Sequence, residues 1–370
     1  MTLYRNFLSV GGLTLLSRVF GFVRDAMMAA VLGAGPAADA FYAAFRFPNL
    51  FRRLFAEGAF NTAFVPMFSG ALAQRTPDEA RELASRIMAW LVAVLLVLTI
   101  LAEIFMPWVL VPFVPGFLDD PAKFELTVLL TRILFPYLAL MSLVAAYAAI
   151  LNSLNRFIAA AFAPVMLNVI NIAVLIAVIV LAVNDAVTAV IWVSFATVVA
   201  GVAQLAIVWW AVKRAGFLPR LQLPRVDPEV KRFWFLALPA VLTGGITQIN
   251  LFVGTIIASG AASAISYLYY ADRLYQLPLG IIGIAIGTVL LPVLAGHLKS
   301  GRDGEARDAQ EQSLLVAMLL SMPAATALIA LSEPIVRVLF ERGAFGPVAT
   351  VETAAALVAF AAGLPAFVLI

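Results

Sequence analysis

Long apolar runs separated by short polar segments are the dominant pattern along the chain. A helix needs about 20 apolar residues to cross the hydrocarbon core of a bilayer. Ten runs of this kind occur, at residues 8–33, 37–68, 87–113, 125–151, 158–183, 187–212, 233–258, 264–296, 313–332 and 348–370. Runs such as Leu91–Leu98 do not alternate with a period of two, which a membrane β-barrel would require. The pattern therefore predicts an all-α polytopic membrane protein.

The composition agrees with this pattern and excludes several classes of chemistry. Of the 370 residues, 64% are hydrophobic and 12% are charged, whereas soluble domains average about 45–50% apolar and about 25% charged residues. The chain has no Cys, which excludes disulfides, thiolate catalysis and Cys-ligated metal sites. A scattered net charge of +3 argues against a nucleic-acid partner. No Gly-rich GK[ST] phosphate loop occurs, so the sequence shows no ATPase and points to no cofactor.

An internal repeat organises the chain. Phe64-Val-Pro66 matches Leu290-Leu-Pro292, and Gly116 matches Gly343, among five matches at offsets of 226 to 229 residues. Parallel repeats in transporters are related by an axis along the membrane normal. We therefore predict two six-helix lobes with a pseudo-two-fold axis: an N-terminal lobe (1–212), a cytoplasmic linker (213–232) and an incomplete C-terminal lobe (233–370). By the same offsets the chain is expected to be truncated in mid-helix, without the last two helices of the second lobe.

The distribution of Lys and Arg among the loops predicts the orientation. With a cytoplasmic N-terminus, fourteen cations lie in cytoplasmic segments, and three, Lys123, Arg337 and Arg342, lie outside. Cytoplasmic loops of membrane proteins are enriched in Lys and Arg. The bias predicts a multi-pass membrane protein whose N-terminus is cytoplasmic.

Seven arginines lie inside the predicted spans, where lipid alone would exclude them: Arg18, Arg24, Arg46, Arg52, Arg53, Arg132 and Arg273. An Arg at the centre of a bilayer costs about 2.5–3.5 kcal/mol on insertion scales, so such residues normally face a cavity or a partner. The nearby acidic residues are fewer: Asp25, Asp39, Glu57 and Asp272. The excess of cations predicts a cavity for an anion, and guanidinium groups suit phosphate or carboxylate oxygens. For Arg132 the sequence leaves both a cavity and a packing role open.

A purely structural interpretation of some of these charges remains open. At 100° per residue, Asp39, Arg46, Arg53 and Glu57 fall within about 40° on one helical face. Asp39 with Arg46, and Arg53 with Glu57, could then neutralise each other as internal ion pairs. This alternative explains Arg18, Arg24, Arg52 and Arg273 less well, because cations outnumber anions there.

The N-terminal motifs resemble those of a known family. They are Ser17-Arg18-Val-Phe-Gly21-Phe-Val-Arg24-Asp25, the segment from Asp39 to Gly58 with Arg46-Phe-Pro48-Asn49-Leu-Phe-Arg52-Arg53, and Phe64-Val-Pro66. Later segments, Ala271-Asp272-Arg273-Leu and Phe340-Glu-Arg-Gly343-Ala-Phe345, add to the likeness. Together they resemble the MurJ (MviN) lipid II flippases of the multidrug/oligosaccharidyl-lipid/polysaccharide exporter superfamily.

The resemblance implies a transporter and not an enzyme. It implies outward movement of lipid II, the undecaprenyl-diphosphate-linked peptidoglycan precursor, by alternating access. Carried over residue by residue, it implies substrate-binding charges at Arg18, Arg24, Asp39, Arg52, Glu57 and Arg273, with Asp25, Arg46, Arg53 and Asp272 as secondary cavity charges. It also implies sodium or chloride dependence, and membrane lipid and cell-wall synthesis proteins as partners. No metal-ligand set is predicted from the residues themselves.

Three other functions compete with this one. A polysaccharide-lipid flippase or a multidrug antiporter of the same superfamily would share the fold, but an antiporter for cations predicts an acidic cavity. A membrane enzyme of prenyl-diphosphate metabolism would need a carboxylate cluster for Mg²⁺ or a catalytic His, and the sequence shows neither. A non-transporting membrane scaffold would have little use for buried arginines.

Overall fold

The protein is almost entirely helical. A computed structural model describes residues 2–53, 60–300 and 302–368. Its helices are α1 (Thr2–Leu32), α2 (Pro36–Arg52), α3 (Asn61–Gln74), α4 (Pro77–Leu110), α5 (Pro121–Leu134), α6 (Pro136–Ser153), α7 (Ile158–Val180), α8 (Ala186–Arg214), α9 (Pro228–Ser259), α10 (Ala264–Lys299), α11 (Asp303–Ala330), α12 (Ser332–Phe340), α13 (Pro347–Ala362) and α14 (Leu364–Val368). These described residues contain no β-strand, and the predicted all-α class is confirmed.

Breaks within the predicted spans occur where the backbone cannot continue a regular helix. The span 125–151 is divided into α5 and α6 at Pro136, whose ring removes a backbone donor. The span 348–370 is divided into α13 and α14 at Gly363. The short helix α12 was not predicted, because nine residues are too few for a membrane span.

Much of the apolar surface can be covered only by lipid. Five segments of the described chain are long and apolar enough to cross a membrane: α4, α5 with α6, α7, α8 and the part of α11 from Gly304. The two segments of α9, Pro228–Gly244 and Gln248–Ser259, make a sixth if they form one span. Only 22% of the most apolar window of α4 is buried inside the protein. The chain is therefore a polytopic membrane protein, and the total of ten spans stays a prediction.

Side-chain caps define where the polar ends of helices lie. Thr76 and Glu79 form a reciprocal capping box at the start of α4. Asp185 caps α8 by accepting hydrogen bonds from the backbone N–H of Val187 at 3.2 Å and of Thr188 at 2.9 Å. Hydrogen bonds from Thr188 and Val187 lower the pKa of Asp185, because they stabilise its charged form. Both ends lie outside the most apolar stretches, as polar caps should.

The chain forms two compact units, Met1–Ala262 and Ser263–Ile370. In the first unit, α7 packs against α1 and α8, α2 packs against α5, and α9 lies against α3 and α4. In the second unit, α10 packs against α11 and α13, and α12 packs against α13. The unit boundary leaves α9 with the N-terminal helices, whereas the sequence repeat divides the lobes before it. The predicted lobe boundaries stay a prediction.

The predicted linker is an ordered strap along the polar end of α4. Arg81 Nε donates to the carbonyl of Leu218 at 2.7 Å, and Trp90 Nε1 donates to the carbonyl of Arg225 at 2.9 Å. Between these anchors Leu221 is fully exposed. We call residues 215–227 the linker strap. It fixes the start of α9 to α4 within the first unit.

Candidate functional site

Arg24 lies at the centre of a buried polar cluster between α1 and α7. Its Nε and Nη2 donate to Asp25 Oδ1 at 3.0 and 2.7 Å, and its Nη1 donates to Asn168 Oδ1 at 3.0 Å. Arg24 is 8% exposed and Asp25 is 3% exposed. A buried guanidinium is tolerated when its charge and donors are compensated. The cluster therefore holds Arg24 in one fixed geometry.

Asn168 is the residue that completes this cluster from the other helix. Its Nδ2 donates to the backbone carbonyl of Ser17 at 2.9 Å, so its amide bridges α1 at two levels. Asn168 lies against α1 beside Gly21, where an added Cβ would be 3.6 Å from the Asn168 amide, an ordinary van der Waals contact. Asn168 thus orients Arg24, although it is not itself charged.

Tyr137 lies at the start of α6, in the same unit as Arg24 and Arg52. It is buried and lies within electrostatic range of both guanidinium groups. An added Cβ at Gly201 would lie 2.8 Å from the Tyr137 ring, so α8 fixes the ring from behind. Arg52 Nε also donates to Asn49 Oδ1 at 2.9 Å, one turn earlier on α2. Two of the predicted substrate-binding arginines, Arg24 and Arg52, thus lie within electrostatic range of the same buried tyrosine.

Asp39 has Lys123 as an ion-pair partner. The Lys123 Nζ lies 2.8 Å from Asp39 Oδ2, and Asp39 is completely buried. The same ammonium lies 3.8 Å from the centroid of the Phe117 ring, which adds a cation–π contact. Asp39 also lies in the first turn of α2, where a negative charge is favoured by the helix dipole.

The other predicted charges of α1 and α2 have varied surroundings. Arg46 Nη1 donates to Thr255 Oγ1 of α9 at 3.1 Å. Arg18 and Arg53 are exposed. Glu57 lies outside the described residues, so its predicted pairing with Arg53 does too.

In the second unit, the predicted Asp272 and Arg273 lie on α10. The guanidinium carbon of Arg273 lies 4.7 Å from the centroid of the Tyr269 ring, and its Nη2 donates to the Tyr269 hydroxyl at 3.0 Å. Gln276 Nε2 donates to Asp272 one turn later. Aromatic stacking with a hydrogen bond leaves the charge of a guanidinium intact, so Arg273 keeps its cationic character.

Arg132 has a packing role that the sequence left open. Pro107 lacks the N–H that would bond the carbonyl of Glu103 four residues earlier in α4. Arg132 Nε of α5 donates to that carbonyl at 3.1 Å. A backbone carbonyl that faces lipid without a hydrogen-bond donor costs several kcal/mol. Arg132 therefore supplies the hydrogen bond that Pro107 cannot donate within α4.

Two site residues, Asn168 and Lys123, were not predicted. Asn168 is an isolated amide in the otherwise apolar α7, and that isolation is the signal that could have identified it. The sequence predicts Lys123 in an outer loop, because it precedes the predicted span 125–151. No local feature of the sequence shows that its ammonium reaches Asp39, 84 residues away.

Comparison with known proteins decides the family. The sequence profile of the family described as Lipid II flippase MurJ matches residues 28–370. A protein of Rhizobium meliloti (strain 1021), named as a probable lipid II flippase MurJ, is 54% identical over 371 residues, which cover 100% of this chain and 69% of the relative.

The chain belongs to the lipid II flippase MurJ family. Its fold agrees with that of a lipid II flippase MurJ solved in an inward closed conformation, at 26% identity and a TM-score of 0.79 over 97% of this chain and 73% of that one. A multidrug resistance transporter of the MATE family, within the MOP superfamily, shares the fold at 16% identity and a TM-score of 0.73, covering 98% of this chain and 81% of its own. MurJ-family membership makes the chain a transporter and not an enzyme.

Proposed function

We propose that this MurJ-family chain moves lipid II from the cytoplasmic to the outer face of the bacterial inner membrane by alternating access. The headgroup of lipid II carries a diphosphate. Its charge cannot cross hydrocarbon without opposite charges beside it, because an unpaired charge there costs several kcal/mol or more. A protein that carries it must therefore supply cations inside the membrane.

The observation that carries the proposal is the buried cluster in which Asp25 and Asn168 hold the guanidinium of Arg24. Arg24 is already oriented by Asp25 and Asn168, so it meets a substrate without first losing rotamer freedom. Arg18, on the same helix as Arg24, is exposed. Fixed guanidinium groups form paired hydrogen bonds with phosphate oxygens, and their charge does not depend on pH in the ordinary range.

The balance of charge supports an anionic substrate. Within the described residues of the predicted spans 8–33 and 37–68, five arginines stand against two carboxylates, Asp25 and Asp39. The arginines are Arg18, Arg24, Arg46, Arg52 and Arg53. Asp39 is also compensated by Lys123. The resemblance adds Arg273 to the proposed binding set and assigns substrate-binding roles to Asp39 and Glu57.

The membrane potential acts in the direction of export. An inside-negative potential favours outward movement of negative charge by about 2.3 kcal/mol per charge per 100 mV. This driving force applies if the loaded carrier moves net negative charge. Dependence on sodium or chloride, and association with cell-wall synthesis proteins, stay predictions from the resemblance.

Substitution of Arg24 and of Arg52 tests the function. We expect Arg24→Ala and Arg52→Ala each to reduce translocation of labelled lipid II by about tenfold or more, since a hydrogen bond to a charged group contributes about 1.5–3 kcal/mol. The measurement is the appearance of lipid II at the opposite face of proteoliposomes that contain the intact protein. Arg156→Ala is the matched control, because Arg156 is an exposed loop cation. Flux equal to that of the wild type, with normal insertion of both variants, would refute the proposed site.

A further inference from the structure

The outer face of the linker strap carries large apolar side chains that the protein leaves uncovered. Leu221 is fully exposed, Leu223 is 81% exposed and Val226 is 63% exposed. The amide of Gln222, between the two leucines, faces Glu82 of α4. Because Gln222 faces α4 and its neighbours are exposed, the leucines lie on the opposite face of the strap. Adjacent exposed apolar side chains of this size mark a surface that contacts a partner or a membrane.

The strap runs along α4 toward its apolar stretch. The N–H of Arg220 donates to Ser85 Oγ at 2.8 Å. Further along, Trp90 Nε1 donates to the carbonyl of Arg225 at 2.9 Å. The predicted span of α4 begins at residue 87, so the end of the strap lies where the polar part of α4 meets the apolar part. Trp90 also packs edge-on against Trp234 of α9, and Trp is enriched at the boundary between membrane and water.

The end of α8, directly before the strap, has the same combination of Trp and cations. Lys213 Nζ lies 5.1 Å from the centroid of the Trp209 ring. The guanidinium carbon of Arg214 lies 5.3 Å from the centroid of the Trp210 ring, and both indoles are exposed. Indole rings at the interface, with Lys and Arg reaching toward the headgroups, are the usual arrangement at the end of a membrane span. The strap thus connects two positions with the side chains of a membrane interface.

The outward charge of this region is positive. Residues 213–232 contain six cations and two anions, and all six cations are exposed. Both anions, Asp227 and Glu229, pair with Arg86 of α4, at 3.2 and 3.6 Å. They therefore compensate a cation of α4, and the charges of the strap and its flanks stay directed outward. The six cations are Lys213, Arg214, Arg220, Arg225, Lys231 and Arg232.

We propose that the linker strap binds the anionic phospholipid surface of the membrane. Leu223 and Val226 then lie at the boundary of the acyl chains, as the apolar face of an interfacial segment does. Arg220 and Arg225 bond phosphate oxygens of anionic headgroups. Leu221, nearer to the polar end of α4, stays among the headgroups in contact with water. With a cytoplasmic N-terminus, as the sequence predicts, the lipid belongs to the inner leaflet. The binding does not depend on the proposed transport function.

The depth of a fluorophore on the strap tests the proposal in the intact protein. Because the chain has no Cys, Leu223→Cys provides a single site for a nitrobenzoxadiazole label. The labelled protein is reconstituted into vesicles of phosphatidylcholine alone or of phosphatidylcholine with phosphatidylglycerol. Quenching by brominated acyl chains is compared with quenching by aqueous iodide. We expect the ratio of lipid to aqueous quenching to be about fivefold higher with phosphatidylglycerol, the factor for one cation near an anionic surface.

A second label position corrects for the effect of lipid charge on iodide itself. Asp78→Cys lies at the exposed, polar start of α4, so its label should be quenched by iodide and not by brominated chains. An equal corrected ratio in both kinds of vesicle would overturn the binding of anionic lipid. Quenching of the Leu223→Cys label by neither agent would mean that protein, and not lipid, covers the strap, which would overturn the proposal as well.

Substitutions then assign the binding to the arginines of the strap. Arg220 and Arg225 are joined to α4 through backbone groups, so Arg220→Gln combined with Arg225→Gln retains the path of the strap. This double variant should lower the ratio in phosphatidylglycerol vesicles to its value in phosphatidylcholine. Arg156→Gln combined with Arg307→Gln removes the same charge from exposed positions elsewhere and should leave the ratio unchanged. An unchanged ratio in the variant of the strap would refute the role of its arginines.

Discussion

At the scale of single residues, the charged groups inside the membrane are held by partners that lie far away in sequence. Arg24 was identifiable from sequence, because Arg in an apolar span is costly and conspicuous. Its partner Asn168 lies 144 residues away, and the partner of Asp39, Lys123, lies at a helix start that looked like a solvated loop. A sequence indicates which groups need compensation, but the tertiary packing of helices decides which group provides it.

The pair of Lys123 and Asp39 leads to a test of stability. Lys123→Ala should destabilise the protein by about 3 kcal/mol, because it removes a cation from a fully buried carboxylate. Lys213→Ala is a matched control, since Lys213 is exposed and its ammonium lies 5.1 Å from the centroid of the Trp209 ring. Thermal unfolding in detergent measures both. If Asp39 and Lys123 act as a pair, the exchanged variant Asp39→Lys with Lys123→Asp should recover part of the loss. No recovery, together with an unaffected Lys123→Ala variant, would contradict the pairing.

At the scale of helices, hydropathy predicted most of the architecture. Each of the ten predicted apolar runs overlaps at least one helix, because a helix is the only open-ended structure that satisfies its own backbone in lipid. The breaks at Pro136 and Gly363 and the short helix α12 were not predicted. Hydropathy averages over about 19 residues and therefore does not resolve single breaks or nine-residue helices.

A close backbone contact between two elements gives a second test of stability. Gly116, in the 3₁₀ turn Pro115–Asp119, donates its N–H to Ser259 Oγ at 3.1 Å at the end of α9. An added Cβ would lie 2.3 Å from the carbonyl oxygen of Ser259, a backbone atom that cannot rotate away.

We therefore expect Gly116→Ala to lower the stability of the protein by about 1–3 kcal/mol, the usual cost of overpacking. Gly254→Ala in α9 is the control, because an added Cβ there meets nothing within 4 Å. Thermal unfolding again provides the measurement. Equal melting temperatures for Gly116→Ala and the wild type would mean that the turn and α9 separate easily.

At the scale of the whole molecule, the cations have two different uses. Most lie in the segments that the sequence assigns to the cytoplasm, including the linker strap, and seven lie in predicted spans. Among those seven, Arg24 is held in a buried cluster with Asp25 and Asn168, whereas Arg132 donates a hydrogen bond to the backbone of α4. The sequence could separate the two uses of charge but not the different roles within the spans, because these depend on which helices are neighbours.

The predicted orientation can be checked directly, because the chain has no Cys. Leu221→Cys in the linker strap and Leu118→Cys in the 3₁₀ turn introduce thiols at exposed positions. In intact cells, a membrane-impermeant maleimide should label Leu118→Cys and should label Leu221→Cys only after permeabilisation. The opposite result would place the N-terminus outside. Labelling of both in intact cells would contradict an odd number of crossings between the two positions.

The hydrogen bond from Arg132 to the Glu103 carbonyl also has a consequence for biogenesis. The carbonyl of Glu103 and the side chain of Arg132 are separated by 29 residues of chain. At about 5–20 residues per second of synthesis, α4 is complete roughly one to four seconds before its missing donor exists. During that interval the carbonyl must stay hydrated or be sheltered by the insertion machinery. We therefore expect the two helices to enter the bilayer together as a hairpin.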